Sequence, residues 1–170
     1  RNRTLCSESS IALKISPEDV VIGSTGVIGM PLDVATIAAG IPTLVSRLSP
    51  EGHGDAAEGI MTTDTHRKEG AVEFTLQGKN CRIGGMAKGS GMIHPNMATM
   101  LVFITTDVAI APEMLQKALS TDIKGTFNML SIDGDTSTND MVVGMALTAF
   151  SLTAAMLWIT LARWESDRRS

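Results

Sequence analysis

Ala98 and Thr99 stand where a turn-forming stretch, residues 94–96 (HPN), meets the apolar run of residues 101–104 (LVFI). A threonine hydroxyl is a weak nucleophile and needs a base beside it. One solution is the threonine's own α-amine, freed by cutting the bond before it. Strain at a turn entering a rigid strand can drive Oγ onto the preceding carbonyl, giving an N-to-O acyl shift and then hydrolysis. Alanine at 98 leaves that carbonyl uncrowded. The spacing alone makes the pair chemically suitable and no more, because most Ala-Thr pairs are inert.

Other constellations carry less. His53, His66 and His94 share no metal-ligand spacing, and no paired-cysteine or H-E-x-x-H pattern accompanies them, so no metal is expected. We read them as hydrogen-bonded or exposed loop histidines. The stretch GSTGVIG, residues 23–29, has glycines around a turn but lacks the lysine of a phosphate loop. DGDTSTND, residues 133–140, has the acids of a calcium loop without its late bidentate glutamate, so a turn held by side-chain to backbone bonds is the better reading. Cys6 and Cys81 are far apart and in no C-x-x-C pair, which suits two buried, inert thiols in a reducing compartment. A net charge of -4 and a pI near 5.3 argue against nucleic acid, which needs a basic face.

Three glycine-marked or polar loops remain, each expected at a strand end: Ser24-Thr25-Gly26, Lys88-Gly89-Ser90-Gly91 and residues 96–99. The elements that must hold them read as follows. Residues 1–19 are polar and weakly patterned, with a short helix able to start at SPEDV, residues 16–20. VVIGSTGVIGMP, residues 20–31, reads as a buried strand ending in a glycine turn. Pro31 suits the first position of a helix that Gly40 would stop, and residues 41–50 give a second short helix. Residues 52–65 read as a loop with room for one helical turn. Alternation at Val72, Phe74 and Leu76, a break at Gly78-Lys79-Asn80 and a restart at Cys81 mark a hairpin. Residues 99–107 form a central strand, residues 112–130 a helix with Met114, Leu115, Ala118 and Leu119 on its apolar side, and residues 131–140 a polar loop. Helices and strands in this order, with a hairpin among them, point to a mixed, layered α/β fold rather than a doubly wound parallel sheet.

From Met141 to Ala162 the chain carries no charge for 22 residues, enough to span a bilayer. Asp140 precedes the run and Arg163, Arg168 and Arg169 follow it, which would leave the C-terminus on the cytoplasmic side. Three Thr and one Ser make the run only moderately apolar, so a core strand followed by a segment without membrane role is preferred. The chain starts at Arg1 with no charged-then-apolar leader, and we read it as processed or as a piece of something longer.

The motifs STGVIGMPL, AGIP, IMTTDT, GGMAKGSGMIHPNMATMLVFITTD and FNMLSIDGDTSTND, in this order, resemble the ornithine acetyltransferase family, the bifunctional glutamate N-acetyltransferases of arginine biosynthesis. The resemblance covers about Asp19 to Ala146. It implies a precursor that cuts itself between Ala98 and Thr99 into α and β chains, with Thr99 the nucleophile and an acetyl-threonine intermediate. It places the oxyanion hole on Thr25 and Gly26, and substrate contacts on Lys88, Thr99 and Thr62, with Thr63 and Thr65 as neighbouring alternatives. It implies transfer from N2-acetyl-L-ornithine to L-glutamate without a bound cofactor, with acetyl-CoA as an optional second donor. The implied fold is a layered α/β sandwich of the self-cleaving N-terminal-threonine type, and the implied assembly a cytoplasmic heterotetramer of α and β chains.

This chain departs from the family's pattern at both ends. Residues 1–18 read as a divergent stretch, 19–146 as the family-like region (its α part to 98, its β part from 99), and 147–170 as a hydrophobic tail outside the family pattern. A truncated or frame-shifted chain accounts for this most simply. Two rival readings stand beside the transferase. One is a related self-processing aminopeptidase or amidase that passes the acyl group to water; the other is an inactive or membrane-tethered fragment that keeps the motifs without a complete pocket.

Overall fold

The computed structural model of the chain describes residues 2–27, 29–95, 97–98, 100–135 and 140–146. It divides after Ile60 into two compact units.

The first unit is helical. Helix α1 spans Asn2–Leu13, α2 Val34–Ser46 and α3 His53–Gly59, with short 3-10 turns at Pro17–Asp19 and Pro50–Gly52. Leu5 and Ile41 are its buried centre, flanked by Ala12, Leu13, Ile22, Val34, Ile37, Ala38 and Val45. The weak sequence pattern of residues 1–13 hid α1, whose apolar residues converge on α2. The two helices expected around Gly40 are one. Asp33, not Pro31, starts it: its carboxylate accepts Thr36 N at 3.1 Å and Thr36 Oγ1 at 2.6 Å, so the first helical residue is Val34. Gly40 and Pro42 lie inside α2. Their weak helix propensity is overridden by burial of Ile41, which has no exposed surface.

The strand expected at residues 20–31 is not there. No ladder partner reaches this stretch among the described residues, and Val21, Val27 and Met30 are exposed. A β-branched run without a partner has no means of satisfying its backbone in a sheet.

The second unit is built on a four-stranded sheet. Strands β1 (Lys68–Leu76), β2 (Lys79–Lys88), β5 (Leu101–Thr106) and β6 (Met141–Ala146) lie side by side in that order. A two-stranded ribbon joins β3 (Ile93–His94) to β4 (Met97–Ala98). The hairpin between β1 and β2 turns at Gln77-Gly78, with Leu76 opposite Lys79, so the turn lies one to two residues earlier than expected. Positive φ at both residues, 50° and 75°, gives the turn that matches strand twist. β5 runs antiparallel to β2 and parallel to β6, the crossover between them carrying helix α4 (Pro112–Asp122). The long helix expected over residues 112–130 thus ends at Asp122 and gives way to 3-10 turns at Ile123–Gly125 and Phe127–Met129.

β5 is central, as its unbroken apolar run predicts. Met100 and Val102 bury against Ile93, Ala87, Ile104, Phe127 and Val142. α4 lies on β6, with Leu115 and Leu119 about 3.8–3.9 Å from where a Cβ on Gly144 would stand. Gly85 has a stricter requirement. Opposite Ile104 in the ladder, its added Cβ would meet Phe103 O at 2.8 Å. The mixed α/β character is therefore present: the first unit is helical, and the second sets helix α4 against its sheet.

Candidate active site

Lys88 closes β2 and is only 3 % exposed. A lysine rarely sits so deep unless something compensates its charge. Its Nζ donates to Thr62 Oγ1 at 3.4 Å, across 26 residues of sequence. Of the three threonines in residues 62–65, Thr62 is the one that meets the lysine. Thr63 Oγ1 instead shares a hydrogen bond of 2.7 Å with Ser90 Oγ, and Thr65 Oγ1 lies 3.0 Å from His66 Nδ1.

Between them lies a residue that the motifs did not single out. The Asp64 side chain has no exposed surface; it pairs with Lys68 and accepts the backbone N–H groups of Gly89 at 2.9 Å and Thr62 at 3.3 Å. Burial by itself would raise its pKa. The bonds from Lys68, Gly89 and Thr62 together outweigh that and hold the carboxyl below its ordinary 3.8. Burial also dominates at Lys88 and lowers its pKa from 10.5, helped by Lys68 and opposed by Asp64 and Asp140.

The ladder fixes where this cluster lies along the chain of the second unit. Lys88 pairs with Leu101, two residues along from Thr99. Ala98 ends β4, paired with Ile93, and Thr99 itself lies outside the described residues. Two carboxylates grip the flanks of this segment. Asp133 accepts Met92 N at 2.6 Å, Ile93 N at 3.0 Å and Asp135 N at 3.3 Å, and these bonds, Met92 foremost, hold its carboxyl below the usual value. Met92 has a φ of 57°, uncommon for a side chain of its size. Asp140 Oδ1 accepts Met100 N at 3.1 Å, and Met141 N donates to Met100 O at 3.0 Å. The bond from Asp135 is the side-chain-held turn expected of the acidic loop.

Thr25 and Gly26 belong to the first unit, half-buried and exposed respectively. Gly26 needs neither a special backbone angle nor a close approach. Its φ is not positive, and an added Cβ would touch only Leu32 Cδ2 at 3.6 Å, an ordinary contact. The two thiols are half-buried rather than buried, each directed at a backbone oxygen 3.7 Å away, Cys6 at Val20 and Cys81 at Lys79. His53 opens α3 and His94 lies on β3, so only His66 is a loop histidine. Among the described residues no group of three metal-binding side chains converges, and no helix is long and apolar enough to cross a membrane. Of the uncharged run of residues 141–162, the first six residues are β6 and the rest lie outside the described residues.

A buried ammonium with a hydroxyl beside it, next to a glycine turn, offers the kind of donors that pair with carboxylates. The ArgJ family model matches residues 1–163, and the chain belongs to that family. It is 55 % identical over 135 residues to a protein of Symbiobacterium thermophilum, covering 79 % of this chain and 34 % of the relative. Against a Bacillus subtilis protein the identity is 55 % over 134 residues, covering 79 % and 32 %; against one of Caldanaerobacter subterraneus it is 47 % over 144 residues, covering 85 % and 36 %. All three are named arginine biosynthesis bifunctional protein ArgJ. The chain spans about a third of the length of these curated relatives. The resemblance carried by the ordered motifs is thereby borne out at the level of the family.

Proposed function

We propose that this chain carries the processing site and part of the acetyl-transfer site of an arginine-biosynthesis enzyme that moves an acetyl group from N2-acetyl-L-ornithine to L-glutamate. The observation that supports it best is the hydrogen bond from buried Lys88 to exposed Thr62, at the strand end facing Leu101. Donor and acceptor both bear an α-carboxylate, and a buried cation with a neutral donor beside it suits that group in both half-reactions.

In processing, Thr99 Oγ attacks the Ala98 carbonyl, the peptide C–N bond breaks and the nitrogen takes the proton. Water then hydrolyses the ester, leaving a carboxylate on Ala98 and a free Thr99 hydroxyl and amine. An α-amine titrating near 7.7–8.0 in unperturbed chains can take the Oγ proton near neutral pH. Oγ attacks the acetyl carbonyl, ornithine leaves with that proton, and the glutamate amine then attacks the acetyl-Thr99 ester and restores the hydroxyl. Thr25 and Gly26 are assigned to the oxyanion of each tetrahedral intermediate. The layered sandwich architecture, the paired α and β chains and acetyl-CoA as a second donor belong to the same proposal.

The test is to incubate the protein with N-acetylornithine alone and weigh the peptide beginning at Thr99. A gain of one acetyl group is expected. Acetyl transfer without that adduct would leave only direct transfer, and acetate release with no acceptor requirement would favour the amidase reading.

A further inference from the structure

We propose that Asp64 is a positioning residue: its buried carboxylate ties the backbone of Thr62 to that of Gly89 and so sets the Thr62–Lys88 pair against the α-carboxylate of an amino-acid substrate. The proposal rests on the acetyl-transfer reading for its substrate and on geometry for the rest. Thr62 and Lys88 come from chain segments 26 residues apart, and nothing in either segment alone would hold their side chains together. One side chain reaches both. Its Oδ2 takes the Thr62 amide and its Oδ1 the Gly89 amide. Gly89 has a φ of 146°, a conformation that side-chain-bearing residues avoid, so the bond from its amide fixes the turn by which the chain leaves Lys88. Lys68, partly exposed, partners the carboxylate from the loop end of β1. A carboxylate with no exposed surface is costly unless every lone pair is used, and here two amides and an ammonium use it. The charged groups acting on Lys88 are Asp64, Asp140 and Lys68. Loss of the Asp64 charge leaves the lysine with less to keep its proton.

The experiment compares Asp64→Asn and Asp64→Glu with wild type in the processed protein, with two readouts. The first is the Michaelis constant for N-acetylornithine and for glutamate. A lost charged hydrogen-bond partner is expected to raise both by about tenfold or more, with kcat falling less, and the glutamate variant should recover part of the loss. The second is the pH dependence of Lys88 acylation by acetic anhydride, followed on its peptide, with exposed Lys117 as the internal standard. The Lys88 midpoint should lie below the ordinary 10.5 and move lower still in Asp64→Asn. Unchanged Michaelis constants with only a lower melting temperature would reduce Asp64 to a structural role. Should wild type show no transfer, the acetyl-transfer reading fails instead, and an unshifted Lys88 midpoint in Asp64→Asn would overturn the present proposal by itself.

Discussion

Lys88 carries a cost that its partners do not remove, and the sign of that cost can be read in stability. Its folded pKa lies below 10.5, so between the two values the unfolded chain binds more protons. Stability should therefore rise with pH through that window. Urea unfolding across the alkaline range should show the rise in wild type and lose it in Lys88→Met, a variant that should also raise the Michaelis constants of both substrates. Asp64 acts at the other end of the scale. Its carboxyl sits below 3.8, so its contribution is present above that value and lost as pH falls through the lower folded one. A further residue has no such partner: the Ser9 hydroxyl is fully buried and unbonded among the described residues. Replacing it with alanine should leave stability unchanged or raise it by about 1 kcal/mol, measured by denaturant midpoint.

At the scale of elements, β2 and β5 depend on the absence of a side chain at Gly85. A methyl there would press on the Phe103 carbonyl, which is backbone and cannot turn aside. Gly85→Ala should cost about 1–3 kcal/mol, by analogy with overpacked cores, whereas Gly26→Ala should cost little in stability. The same contrast says what the sequence could reveal. The hairpin and the central β5 were legible because alternation and an unbroken apolar run are local signals. Helix α1 was not, since its buried residues make sense only against α2. Nor was the unity of α2, because Ile41 outweighs two helix breakers only once it is buried. In the site, Lys88 and Thr62 came from resemblance to a family, but Asp64 needed the fold: its acceptors point at amides 2 and 25 residues away. An aspartate inside a threonine-rich turn was a signal of side-chain to backbone bonding, and only the nearer of its two amide partners could have been guessed from it.

For the whole molecule, the proposed cut at Ala98 falls between β2 and β5, neighbours in one sheet. Six residue pairs, from Ile83 with Thr106 to Lys88 with Leu101, span the two sides of that cut. Before processing they are joined through one chain, and the local concentration of β5 around β2 is set by the short connection between them. Afterwards the same ladder is the seam of a two-chain complex, and its occupancy answers to mass action. Processed protein should therefore melt at a temperature that falls on dilution, while Thr99→Ala, left whole, should melt at one temperature across a hundredfold range. A processed protein indifferent to dilution would mean that contacts beyond this sheet hold the halves. Processing would make the protein a reversible assembly, whose lifetime in a dilute solution is the time its own central strand takes to leave.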